Sequence, residues 1–202
     1  MESQLNDERI RAGDQAAFAA IFDEHARVVY AHAVRSTGDW ALAEDVMSLT
    51  FLEAWRHREK LRGEVRNVRA WLLGITTNVL RNTARAARRH RAAMSRMAPP
   101  EPLPDFSDEV VGQLVDARLL AAVADALGRL KRADREVFGL IVWSGLGYAE
   151  ASEALGIPVG TVRSRLSRAR RKLRGLMATE LGEGAGPVDP GAVYGGEVGS
   201  AG

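Results

Sequence analysis

Residues 146–174 read LGYAEASEALGIPVGTVRSRLSRARRKLR, and the rest of the chain is interpreted from this stretch. It divides into a short helix, about Tyr148–Leu155, a turn at Gly156-Ile157-Pro158, and a longer basic helix from about Gly160. Glycine supplies the left-handed backbone that a sharp turn needs, and proline cannot continue the first helix. In the second helix Val162, Leu166, Ala169, Leu173 and Leu176 recur at helical spacing, which predicts one buried stripe. The other faces carry Arg163, Arg165, Arg168, Arg170, Arg171, Lys172 and Arg174, with no acid among them.

A helix-turn-helix lays the start of its second helix against base edges in the major groove. Arg163, Ser164, Ser167 and Arg168, on the side away from the apolar stripe, are the candidates for that contact. Arginine pairs bidentately with guanine, and serine donates or accepts at an edge. Arg170, Arg171 and Arg174, further along, suit phosphates, which add affinity and little sequence information. The competing reading is a solvated basic face on an ordinary core helix; the turn chemistry and the absence of acids favour DNA.

The 202 residues suffice for one large domain or two small ones. Net charge is only +2, yet the isoelectric point is about 9.3, so bases and acids are segregated. Such polarity suggests one face for nucleic acid and another for protein. With 0 cysteines there is no disulfide framework, thiol nucleophile or cysteine-based zinc site. The start of the chain is polar and unlike a signal peptide, and no apolar run approaches the ~20 residues needed to cross a bilayer. A cytoplasmic protein is expected.

Taken in order, a flexible leader (1–13) precedes Asp14, which should cap a helix carrying Phe18, Ile21, Phe22, Val28, Val29 and Ala33. His25 and His32 on it are read as surface or core-edge residues, since their spacing does not suit a metal pair. Gly38 and Asp39 end this helix and cap the next, Trp40 to about Arg58. The apolar residues of that second helix wrap too far round for one stripe. It is either the central helix of a bundle or a helix that offers one side to another protein.

Asn67 should cap a third helix with Val68, Trp71, Leu72, Ile75 and Val79 as its stripe. Beyond Thr76 come Asn78, Arg81, Asn82, Arg85, Arg88, Arg89, Arg91 and Arg96 with no acid between them. Amides read base edges and arginines hold phosphate, so this run is a second candidate contact with nucleic acid. Four prolines in APPEPLPDFSD (98–108) prevent regular helix and mark a connector. If residues 91–108 were extended they would span up to roughly 60 Å, approaching two turns of duplex. A second helical module (109–178) follows, with Val111, Leu114, Val115, Leu119, Val123 and Leu127 on one stripe. A short apolar helix with Val137, Phe138, Leu140, Ile141 and Trp143 comes next. The Gly-rich tail (179–202) is too poor in apolar groups to offset its ordering entropy, and disorder is expected there. The fold class is therefore all-α: two small helical domains joined by a Pro-rich linker, the C-terminal one carrying the helix-turn-helix.

Three segments together, AEDVMSLTFLEAWR (43–56), RAWLLGITTNVLRNTARAARR (69–89) and GLGYAEASEALGIPVGTVRSRLSRARRKL (145–173), resemble bacterial RNA polymerase sigma factors of the extracytoplasmic-function (ECF) class. The likeness covers about residues 14–178. It implies that 14–97 corresponds to sigma region 2, which binds core polymerase and the minus-ten element, and 109–178 to region 4, which reads the minus-thirty-five element.

By this resemblance Arg62, Gly63, Glu64, Asn67, Asn78, Arg81, Asn82, Arg85 and Arg88 would meet the minus-ten strand. Gly160, Thr161, Arg163, Ser164, Ser167, Arg168 and Arg171 would read minus-thirty-five, and Asp45, Ser48, Leu49, Phe51 and Glu53 would face polymerase. Core RNA polymerase, promoter DNA and an anti-sigma factor are the implied partners, with no cofactor and no metal. Two departures stand out: Ser48-Leu49 replaces the family's Gln and acid, and Pro158 replaces the Ser or Thr that starts the recognition helix. The rival reading is a free-standing helix-turn-helix regulator, which would leave 40–58 and 78–96 without a purpose. No phosphate-binding loop, HExxH pair or Ser/His/Asp constellation points to an enzyme.

Overall fold

The computed structural model describes residues 9, 10, 12–61, 67–94 and 126–181. The expectations for Arg62, Gly63 and Glu64, the 98–108 connector, the 109–125 stripe, most of the leader and the 182–202 tail lie outside those residues. The described residues are helical and include no strand. In chain order they form α1 (Gln15–Thr37), α2 (Trp40–Arg56), a 3-10 turn (Arg58–Lys60) and α3 (Val68–Met94). Then come α4 (Arg132–Phe138), which continues into a π turn (Gly139–Trp143), α5 (Tyr148–Leu155) and α6 (Val159–Leu181).

The helix starts are set by the side chains the sequence singled out. Asp14 accepts from the backbone N–H of Ala16 and Ala17 at 2.9 and 3.1 Å. Asp39 accepts from Leu42 at 3.0 Å, and Asn67 from Ala70 at 3.0 Å. Each satisfies donors that a helix start leaves without an intrahelical partner. Gly38 closes α1 in the left-handed conformation. Pro158 has no capping side chain, but its carbonyl accepts from Thr161 and Val162 and so begins α6.

α1, α2 and α3 bury Ile21, Val29, Phe51, Ala54 and Leu72 in a first core. Phe18 and Trp55 meet edge to face at 5.1 Å within it, and Phe22 tilts over Phe51 at 4.7 Å. α4 to α6 build another core from Val137, Phe138, Leu140, Val162, Leu166, Ala169 and Leu173. Met177 completes the α6 stripe, whereas Leu176 is only partly buried. Two residues of α3, Ala70 and Leu73, belong to this second core. α3 is therefore shared: Leu72 faces one core and Leu73 the other.

That sharing brings the two parts of the chain into contact, where the sequence left their relative placement open. Gly74 sits so close to α5 that a β-carbon on it would lie 2.6 Å from the Ala154 carbonyl oxygen. His32 of α1 is buried, and its Nδ1 lies 2.9 Å from Ser144 Oγ. The sequence leaves this histidine at the surface or the core edge; folding buries it between the two parts. Burial, with a smaller push from Arg35, lowers its pKa to about 4.

Candidate nucleic-acid interface

On α3 the acid-free run faces outward. Asn78, Asn82, Arg85 and Arg88 are exposed, and Asn78 lies one turn from Arg81 and Asn82 on the same side. A groove of about 720 Å³ opens beside them, lined by Lys60, His57, Asn67, Trp71, Asn78 and Asn82 and also by the acids Glu53 and Glu153. Amide groups, an aromatic ring and the Lys60 ammonium around one concavity can hold an unstacked base by edge hydrogen bonds and stacking. His57, which closes α2, and Lys60, at the end of the 3-10 turn, join the groove without having been singled out from the sequence.

Two of the expected strand contacts are already engaged. Arg81 donates from Nε and Nη2 to the two oxygens of Glu136 at 2.9 and 2.7 Å. Its Nη1 donates to Asn78 Oδ1 at 3.1 Å. The Glu136 hydrogen bond raises the already high pKa of Arg81. Asn67 uses its oxygen to cap α3 and its amide to donate to Glu150 Oε1. Both carboxylates come from the second part of the chain. Neither was singled out in the sequence, where Asp134 and Glu153 stand two and three residues away and nothing local sets Glu136 or Glu150 apart.

The other basic helix, α6, is more open. Arg163, Ser164, Ser167, Arg168, Arg170 and Arg171 are all exposed, as is Gly160, while Thr161 is half-buried. The Arg163 guanidinium lies 5.5 Å from the centre of the Tyr148 ring, which restrains it without using its donors. Ser164 Oγ donates to the Thr161 carbonyl at 3.0 Å. Arg168 is tethered: its Nη2 lies 3.1 Å from Oδ1 of the buried Asp134. Arg163 is therefore the freer of the two arginines expected to read bases. No acid occurs from Val159 to Thr179, so α6 offers a cationic surface over five turns.

The expected polymerase-facing set separates by orientation. Asp45, Ser48 and Leu49 are exposed, and Glu53 is half-exposed, held by Arg56 at 2.8 Å. Phe51 is the correction: it is buried in the first core against Phe18 and Phe22. A residue two positions from Leu49 on a helix points about 200° away from it, so both cannot face the same partner. Leu52, at 45 % exposure, and Trp40, at 68 %, carry the outward apolar surface instead. Among the described residues, no cluster of His, Asp or Glu could hold a metal ion. No described helix is long and apolar enough to cross a membrane.

A family model described as Sigma-70 region 2 matches residues 21–90, and one described as Sigma-70, region 4 matches residues 120–173. The chain is 40 % identical over 171 residues to the ECF RNA polymerase sigma factor SigL of Mycobacterium tuberculosis, a match covering 85 % of this chain and 94 % of that one. Its fold is similar to that of CnrH in complex with the cytosolic domain of CnrY. There the TM-score is 0.61 and the identity 30 %, over 87 % of this chain and 96 % of the other. It is also similar to the sigma factor RpoE bound to the anti-sigma factor NepR from Bartonella quintana. That comparison gives a TM-score of 0.57 and 27 % identity, over 79 % and 96 % of the two chains.

Proposed function

The chain belongs to the ECF sigma factors of the sigma-70 family, and from that membership we propose how its two basic helices divide the work of starting transcription. As a sigma factor it directs core RNA polymerase to promoters. Residues 14–97 act as the part that holds polymerase and the minus-ten element. Residues 109–178 act as the part that reads minus-thirty-five, and 98–108 link them.

On α6, Arg163, Ser167 and Arg171, with Gly160, Thr161 and Ser164 at the helix start, lie along the major groove. Arg168 adds charge there while staying anchored to Asp134. On α3, Asn78 and Asn82 take the edge of a base pulled from the duplex, with Trp71 beside the groove. Arg62, Gly63 and Glu64 belong to the loop leading into Asn67, and Arg81, Arg85 and Arg88 neutralise the strand. The exposed side of α2, with Asp45, Ser48, Leu49 and Glu53, meets polymerase.

The chain carries out no catalysis of its own; the polymerase it recruits does. It acts in the cytoplasm, where that enzyme and its template are. An anti-sigma protein is a further expected partner, because the similar RpoE is held by one. The observation that carries this reading is the exposed, acid-free Asn/Arg face of α3. A free-standing helix-turn-helix regulator has no use for it.

Transcription by purified core polymerase on genomic DNA, with and without the chain, is the test. New start sites that require the chain are expected, while the chain alone should bind duplex promoters weakly. Tight, sequence-specific binding by the chain alone, with no association with core polymerase at any salt concentration, would overturn the assignment.

A further inference from the structure

We propose that the slot between α1, α3 and α4 is a binding site for a linear carboxylate of medium chain length. This slot holds about 260 Å³ and is a different cavity from the Asn78/Asn82 groove. Its inner end is set by His32, Thr77 and Gly139, all buried, and its mouth by Ala84, Ala87 and Arg132, all exposed. Thr77 and Ala87 lie about 15 Å apart along α3 at 1.5 Å per residue. So small a volume over that length is narrow, which suits an extended chain better than a ring. Leu80 and Leu42 add apolar walls.

The hydrogen-bonding groups around the slot decide the chemistry of its ligand. Thr37 and Thr77 donate to the Ala33 and Leu73 carbonyls at 2.9 and 2.8 Å, so neither hydroxyl needs a partner in the slot. His32 has its Nδ1 against Ser144. Arg81 uses Nε, Nη1 and Nη2 on Glu136 and Asn78. The cations with donors to spare are Arg132 and Arg135. Arg132 approaches Glu136 through Nε at 3.4 Å, and Arg135 gives Nη1 to the Leu127 carbonyl at 3.4 Å. Both terminal nitrogens of Arg132 and Nη2 of Arg135 have no hydrogen-bond partner among the described residues.

Three arginines against the carboxylate of Glu136 leave this mouth cationic. Methylenes filling the slot and a carboxylate at the mouth match both ends, because a guanidinium grips a carboxylate through two parallel N–H bonds. An alcohol head gains less there, and an ammonium head is repelled. The walls come from both parts of the chain, so the ligand binds only the folded arrangement and stabilises it by mass action.

The test uses the full chain and sodium octanoate, with isothermal titration calorimetry and thermal melts. Saturable one-to-one binding that raises the melting temperature is expected. Octanol and octylammonium should bind about tenfold more weakly or worse. Hexanoate should also bind roughly tenfold more weakly, since each methylene contributes about a three- to fourfold gain. Ala84→Leu adds bulk to the slot from an exposed helical position and leaves every charge in place; octanoate affinity should fall about tenfold or more. Arg132→Gln/Arg135→Gln should weaken octanoate about tenfold and leave octanol unchanged.

Absence of saturable octanoate binding overturns the proposal. Binding that octanol equals also overturns it, because the cationic mouth then plays no part. Binding that Ala84→Leu leaves unchanged does so as well, since the chain must then lie elsewhere on the protein. If the double arginine variant does not fold, as judged by near-ultraviolet circular dichroism, Arg132→Gln alone is read in the same way.

Discussion

α3 and α6 are both long basic helices with one face in a core, yet they stand in different states of readiness. α6 holds its arginines by contacts within its own part of the chain: Tyr148 under Arg163, Asp134 on Arg168. Those contacts persist however the two parts are arranged, so α6 can meet duplex DNA as it stands. α3 is tied across the interface, through Ala70 and Leu73 in the second core and through Asn67 and Arg81 to two foreign carboxylates. On the proposed roles, α6 would meet upstream duplex as it stands, whereas strand capture by α3 would await separation of the two parts.

The most severe challenge to this contrast is Leu73→Ala. If the two parts form one cooperative unit, deleting a fully buried leucine side chain should cost about 2–5 kcal/mol in a urea titration of the whole chain. If they do not, Leu73 faces solvent in solution and the unfolding free energy should change by no more than about 0.5 kcal/mol.

Acid should loosen the same seam. His32 has a folded pKa of about 4, below the ordinary 6.5, because burial disfavours the imidazolium. The unfolded chain therefore takes up a proton that the folded chain refuses. This contribution to stability is complete above pH 6.5 and is lost as pH falls toward 4. Between pH 7.5 and pH 5 the loss attributable to His32 is about 2 kcal/mol. The difference in denaturation free energy between those pH values should shrink by that amount in His32→Asn. An unchanged difference would mean that His32 is not buried against Ser144 in solution.

Much of this architecture was legible in the sequence. Asp14, Asp39 and Asn67 announced helix starts because a capping side chain acts on donors two or three residues away. The helix-turn-helix was legible because Gly156 and Pro158 act on their own backbone. What stayed hidden depends on distance along the chain. Arg81 looks like one more member of a cationic run until folding brings up an acid 55 residues later. One clue was available: Leu72 and Leu73 are adjacent, and neighbours on a helix point about 100° apart, so two buried leucines imply two cores. The same geometry turns Phe51 inward and Leu52 outward.

On the α6 side, Arg163→Ala and Arg168→Ala should differ in kind. Arg163→Ala should weaken binding of the polymerase complex to minus-thirty-five duplex by about 1–2 kcal/mol and leave the melting temperature of the free chain nearly unchanged. Arg168→Ala leaves the buried Asp134 carboxylate without its partner and should also destabilise the chain, by about 1–3 kcal/mol. Anisotropy titrations paired with thermal melts separate the two outcomes. Equal loss of stability in both would show that the Tyr148-stacked arginine is as structural as the tethered one.

The smallest effect tests whether that stacking positions a reader. Tyr148 is 41 % exposed, so its contact with Arg163 is worth about 0.5 kcal/mol in water. Tyr148→Leu keeps an apolar side chain on α5 and removes the ring face. Duplex binding should weaken by about that amount in the otherwise unaltered chain, and by almost nothing in a chain that already carries Arg163→Ala. Non-additivity is the informative quantity, because groups that act on DNA independently contribute additively. Additive losses would mean that Tyr148 touches the duplex directly, and α6 would then share its reading face with the helix before the turn.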